Sequence, residues 1–253
     1  MYNTFSVGKG ERISSHKLAV QGLRKVYRGN GFSVEALKGV SFEIDEGEFT
    51  IIAGPSGCGK STLLNLIGLL DTPTAGHIMI DGVDTTKLSE KQRTQLRNQK
   101  IGFVFQFFNL IPELTVIENV MLPMLVMGTP SDKAKRESAS LLKMVGLADK
   151  THVGATQLSG GQMQRVAVAR GLSNQPAIFL ADEPTGNLDS KNAQDILNLM
   201  YELNEKNNQT FVLVTHAPDL VGEVDKTIRI KDGLIEKVEI NNGSSKKPAQ
   251  TAN

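Results

Sequence analysis

The chain has a single cysteine, Cys58, among 253 residues. No internal disulfide is possible, which fits a reducing compartment. Tryptophan is absent, and 3 Tyr with 10 Phe hold the aromatic share to 5%. An excess of charge of either sign is missing too: Lys+Arg 28 against Asp+Glu 27 leaves +1. Without a global basic field, non-specific binding to nucleic acid is excluded as a first reading, and no nucleic-acid partner is expected. No apolar run reaches the ~18–20 residues that a membrane helix needs. The nearest, 63–70 and 120–127, are broken by Asn65 and Pro123. Residues 1–17 carry Lys9, Arg12 and Lys17 but no apolar stretch, so a secretory signal is not expected.

What is present is an ordinary globular mixture, 40% apolar and 22% charged. A chain of this length buries roughly 70–75% of its unfolded surface and needs no staples to fold. Residues 1–17 and 241–253 have no apolar face; the first is expected to be a flexible tail and the second a disordered one. Between them a single domain is expected over 18–240. Strand patterns fall at 18–27, 36–44, 49–53, 77–80, 101–105, 177–181 and 210–215, and helical patterns at 60–70, 190–204 and 218–221. Strands alternating with helices predict a mainly parallel α/β core. Residues 115–145 have helical spacing with a fresh start at Pro130-Ser131-Asp132, so about 106–160 reads as a helical insertion in that core.

Gly54-Pro55-Ser56-Gly57-Cys58-Gly59-Lys60-Ser61 fits G-x-x-x-x-G-K-[ST], with Thr62 next, between an expected strand and an expected helix. Glycines let the backbone curl so that consecutive N–H groups face inward as an anion nest, and a helix N-terminus adds its positive end. Lys60 supplies a point charge to outer phosphates, and Ser61 offers a hydroxyl to Mg²⁺. Nucleotide binding follows. Cys58 is open to two readings: a thiol made acidic by the helix end and Lys60, or a small residue at a tolerant position. Further on, an apolar strand ends in Asp182 and Glu183, which point to opposite sides. Asp182 is read as a Mg²⁺ holder through water and Glu183 as the group that deprotonates an attacking water.

A second glycine-and-serine cradle, Leu158-Ser159-Gly160-Gly161-Gln162, opens a helix about a hundred residues after the first. GTPases and small-molecule kinases lack it. With it the chain resembles the ATPase subunits of ABC transporters over about 18–238. The resemblance implies a P-loop NTPase core of RecA-like type, an antiparallel β subdomain and an inserted α-helical subdomain. It implies that Gln106 contacts Mg²⁺ and relays to a membrane partner. It further implies that His216 holds the γ-phosphate and the water, that Asp189 in Gly186-Asn187-Leu188-Asp189 works across a dimer, and that Tyr27 stacks on adenine. A core or surface role stays open for Tyr27. The stretches from Leu96 to Gln106 and from Ala181 to Asp189 are similar to the subgroup serving lipoprotein release, macrolide export and cell-division permeases. Two departures are Ala217, where the family has Asp, and Gly171, where Ala is common; glycine there is expected to loosen the helix slightly.

The implied machine is a homodimer clasping two ATP with Mg²⁺ head to tail, working at the cytoplasmic face of a membrane through a transmembrane permease on a separate chain. The alternative is a soluble ABC ATPase acting on nucleic acid or ribosomes. One cassette and no sustained heptads weigh against that class. Phe103 and Phe105 are expected in the core. Phe107 and Phe108, with Leu110 and Ile111, read either as helical-subdomain core or as a groove for a partner's helix.

Overall fold

The computed structural model describes residues 16–29 and 31–241. The expected tails lie outside them, apart from His16, Lys17 and Asn241. His16 reaches Glu43 and Asp45, Lys17 bridges Glu46 and Asp81, and the Asn241 amide donates to the Asp225 carbonyl.

Four strands of continuous apolar character form the centre: β3 (Phe49–Ala53), β6 (Ile101–Phe105), β7 (Ile178–Asp182) and β8 (Thr210–Thr215). Strands buried on both faces read this way because neither face meets water. They run parallel in the order β3-β8-β7-β6. Two later strands, β9 (Lys226–Lys231) and β10 (Leu234–Ile240), extend the sheet past β3; β9 is parallel to it and β10 antiparallel to β9. A second, antiparallel sheet has the order β2-β1-β4-β5, from β1 (Leu18–Gly29), β2 (Phe32–Ile44), β4 (Ala75–Ile80) and β5 (Val83–Asp84). The expected α/β architecture is therefore observed.

Period-two alternation splits the core in two. Phe49, Ile51, Phe179, Ala181, Phe211 and Leu213 face one cluster, and Ile52, Ile178, Leu180, Val212 and Val214 the other. The second cluster holds α1 (Lys60–Ile67) and the antiparallel sheet. The first holds α3 (Val116–Val126), α4 (Ser131–Met144), α5 (Gly160–Leu172) and α6 (Ser190–Asn207). Both α3 and α4 fall within the expected helical insertion. A capping box of Thr115 and Glu118 starts α3. The remaining helix, α2 (Glu90–Lys100), opens on a similar box of Ser89 and Gln92 and buries none of its residues. Helix α1 stops at Ile67, short of the expected 70, because Gly68 and the left-handed Leu69 (φ 57°) end it.

Candidate functional site at the strand ends

Four adjacent parallel strands deliver the sequence-predicted residues to one edge. The P-loop leaves the carboxyl end of β3, Gln106 that of β6, Asp182 and Glu183 that of β7, and His216 that of β8. Ligands of open α/β sheets bind at this edge.

Gly59 caps α1 with a left-handed backbone (φ 107°), and a Cβ there would lie 2.6 Å from the Ala36 carbonyl. That contact brings the β1–β2 hairpin against the loop. Pro55, Ser56, Gly57 and Ser61 are exposed, Gly54 and Thr62 half-buried, and Lys60 buried beneath them. The Lys60 ammonium donates to the Gly54 carbonyl at 2.8 Å and the Pro55 carbonyl at 2.9 Å, so it holds the loop curled around itself. Cys58 is buried among the residues under the loop and packs with Ile230 and Leu180. Its thiol lies on the inner side of the loop, where a Cβ on Gly54 would approach it to 2.8 Å. Tyr27 is exposed on β1; its hydroxyl donates to Asp71, and the Lys25 ammonium lies 4.8 Å from its ring centre.

Burial pushes the Asp182 carboxyl above the ordinary carboxylate range, with Glu183 adding to the rise and Lys60 opposing it. Glu183 sits in a left-handed backbone (φ 45°), held by its N–H on the Val214 carbonyl and its own carbonyl accepting from Gly186. Strain of this kind gathers at functional sites. His216 Nδ1 lies 3.0 Å from a Glu183 carboxylate oxygen, and since a carboxylate only accepts, Nδ1–H donates. Gln106 and Asn187 exchange two hydrogen bonds, side chain to side chain at 3.3 Å and Asn187 to the Gln106 carbonyl at 3.0 Å.

Ser159 caps α5 in a reciprocal box with Gln162. A Cβ on Gly161 would overlap Asn192, which is itself bound at 2.6 Å by Asp189, the cap of α6. The start of α5 therefore abuts the start of α6 in the same chain. Gln162 and Gly160 complete the cradle; Gly160 faces Leu188 and Phe108. Helix α5 runs back along β6, since Gly171 meets the Phe103 carbonyl and Gln164 binds the Phe105 carbonyl at 3.3 Å. Its N-terminus thus stands beyond the end of β6, the edge strand opposite β10. Three strand spacings, about 14 Å, separate β6 from β3 and its loop.

Phe103 and Phe105, expected in the core, share one face of β6, stack at 5.5 Å and are half-buried. They line a groove of about 680 Å³ with Leu70, Pro123, Val126 and Met127. Phe107 is exposed, Phe108 packs toward Gly160, and Leu110 joins the first core cluster. Sequence reasoning missed Gln164 and Arg170. Both are polar positions on a helix whose neighbours Val166, Ala167, Val168 and Ala169 are buried, which is the one signal available for them.

Residues 37–186 match the family model described as ABC transporter. An uncharacterized ABC transporter ATP-binding protein of Thermotoga maritima is 52% identical over 215 residues, covering 85% of this chain and 92% of that one. The lipoprotein-releasing system ATP-binding protein LolD 1 of Rhodopseudomonas palustris is 49% identical, covering 86% and 97%. The macrolide export ATP-binding/permease protein MacB of Syntrophobacter fumaroxidans is 46% identical over 87% of this chain but only 31% of its own length. Among solved structures, the dimeric post-hydrolysis state of the ATP-binding cassette MJ0796 bound to ADP and Pi superposes with a TM-score of 0.81 at 43% identity, covering 90% of this chain and 100% of that one. Motifs, fold and relatives agree: the chain belongs to the ABC transporter family as an ATP-binding ATPase subunit of the lipoprotein-release and macrolide-export group.

Proposed function

We propose that this chain energises a membrane permease carried on a separate polypeptide, and that two copies close head to tail around two Mg-ATP. The observation that carries the proposal is the separation of the two cradles. Within one chain the α5 cradle stands about 14 Å of sheet away from the P-loop, on the far side of β7 and β8. An ATP on the P-loop then lacks donors on its exposed side until a second copy supplies them.

In that arrangement the backbone N–H groups of Gly54 through Thr62 cradle the phosphates, and Lys60 moves from its loop carbonyls to the outer ones. Tyr27 stacks on the base, an interaction worth ~1–3 kcal/mol. Ser159, Gly160, Gly161 and Gln162 of the second copy present the α5 N-terminus to the γ-phosphate, with Asp189 alongside. Glu183 takes the proton of the attacking water, and His216 orients it. A positioned base contributes ~10²–10⁴-fold. Among the described residues no three His, Cys, Asp or Glu side chains form a metal cage. Mg²⁺ asks for less, since it keeps several waters and takes one or two carboxylates beside the phosphates. Ser61, Gln106 and Asp182 fit that demand, and a divalent ion would offset the burial and the Glu183 charge that raise Asp182. When bound, the ion neutralises phosphate charge.

No helix of the described residues is long and apolar enough to cross a membrane. Attachment at the cytoplasmic face then comes through the permease. The groove of Phe103, Phe105, Val126 and Met127 is the docking place we assign to its cytoplasmic helix, because it lies between β6 and the helical insertion and starts one residue from Gln106.

Glu183→Gln tests the scheme. The amide keeps the shape but cannot act as a base. ATP binding should stay within about threefold, turnover should fall ~10²-fold or more, and ATP should trap a dimer in size-exclusion chromatography. A variant that binds ATP yet elutes only as monomer would contradict the sandwich.

A further inference from the structure

The segment after Gln106 is held in an unfavourable shape. Phe108 and Asn109 are consecutive non-glycine residues with left-handed backbones, φ 57° and 51°. L side chains rarely adopt this conformation, and it persists only where surroundings impose it. Arg170 of α5 contacts the pair here. Its guanidinium donates to both carbonyls of the strained pair, Nη2 to Phe108 at 2.9 Å and Nη1 to Asn109 at 2.5 Å. Among the described residues Arg170 makes no ion pair, although it is half-buried and burial pulls its pKa down. A partly desolvated cation without a carboxylate is costly, so its charge is committed to those two carbonyls.

The same helix grips the other side of Gln106. Gln164, fully buried, donates to the Phe105 carbonyl at 3.3 Å and the Pro184 carbonyl at 2.5 Å. Gln106 is thus bracketed by Phe105 before it and Phe108 and Asn109 after it, all three carbonyls tied to α5. Arg170 and Asn109 also line the groove. The guanidinium therefore stands between the groove and the turn that carries Gln106.

We infer that Arg170 is a positioning residue: its two-carbonyl clamp sets the 107–109 turn and through it the reach of Gln106 toward the metal-nucleotide. This rests on the reading of Gln106 given under Proposed function. A forked guanidinium spans two adjacent carbonyls, whereas an ammonium is a single point. The clamp acts on Gln106 and not on the P-loop, so its loss should strike kcat and the Mg²⁺ requirement and spare the KM for ATP.

The test uses the full chain: its steady-state ATPase with ATP and Mg²⁺ titrated separately, and equilibrium binding of labelled ATP as Mg²⁺ is titrated, both below the melting temperature of each variant. Arg170→Met keeps the stem and removes the donors. It should lower kcat about tenfold or more, raise the Mg²⁺ midpoint severalfold and leave the KM for ATP within twofold. Adding Asn109→Gly, which accepts a left-handed backbone without the clamp, should recover part of the lost kcat. Arg170→Lys, the fallback if Arg170→Met does not fold, should fall between. A folded Arg170→Met or Arg170→Lys with wild-type kcat and Mg²⁺ midpoint overturns the clamp. So does a kcat loss accompanied by an unchanged Mg²⁺ midpoint and no recovery by Asn109→Gly. Gln106→Ala separates the two failures: if it leaves kcat and Mg²⁺ dependence intact, the reading of Gln106 itself is wrong.

Discussion

Asp182 holds its charge in a place that resists it. Burial raises its pKa from the ordinary 3.8, Glu183 adds to the rise, and Lys60 offsets part of it. The folded chain therefore binds this proton more tightly than the unfolded chain does. Stability from the group is full below the unfolded pKa and is lost as pH rises through the higher folded value. At neutral pH the ionised carboxylate weakens the nucleotide-free protein. Asp182→Asn should raise the melting temperature at pH 7 by about 2–4 °C, which is ~1 kcal/mol at this size. The gain should shrink as pH falls through the raised folded value, where the carboxyl takes up its proton. Melts of both proteins without nucleotide at pH 7 and pH 4.5 check this, and an equal gain at both would refute the electrostatic cause. Glu183 carries a local cost of another kind, a left-handed backbone at a non-glycine residue. Cys58 is buried among apolar neighbours under the loop.

At the level of elements, Gly171 reverses a simple propensity argument. Propensity alone says that Ala would strengthen α5 by ~0.8–1 kcal/mol. The packing says otherwise. A Cβ there would lie 2.7 Å from the Phe179 ring and 2.9 Å from the Phe103 carbonyl oxygen, with Phe179 fully buried. Overpacking of this kind costs ~1–3 kcal/mol. Gly171→Ala should therefore destabilise the chain by up to about 2 kcal/mol net in urea unfolding, and a stabilised variant would show that α5 can lift off β6 freely. The sequence pattern revealed the elements that bury a continuous apolar face, such as β3, β6 and β8, and these match residue for residue. It missed α2, which buries nothing and owes its start to a capping box, and β9 and β10, whose apolar residues are spread among Lys, Arg and Glu. The expected helix at 190–204 runs on to Asn207 because only at Asn208 does a left-handed residue stop it. Local motifs were legible because each lies within one turn of chain. The clamp of Arg170 on Phe108 was not, because 62 residues separate the partners and only the fold brings them together.

The whole molecule carries its two glycine cradles at separate places along the sheet edge. The P-loop stands at the end of β3 and the α5 cradle beyond the end of β6, with β8 and β7 between those two strands. Ser159 is exposed at the head of its helix, open to a second copy, while Glu183 and His216 face each other beside the P-loop. The most direct test mixes two lesions. Ser159→Arg fills the α5 cradle, and it also removes a helix cap worth ~1 kcal/mol, so its melting temperature must be checked first. Glu183→Gln removes the base. Each homodimer should be nearly inactive. Differently tagged monomers of the two variants are combined with ATP, and heterodimer formation is verified by co-purification. In the heterodimer one site pairs an intact Lys60–Glu183–His216 half with an intact Ser159–Gly161 half, and the other site carries both lesions. ATPase activity should return on mixing, up to about half the wild-type rate per dimer if each site follows its own barrier. A verified heterodimer with no activity above either parent would contradict sites shared between two chains.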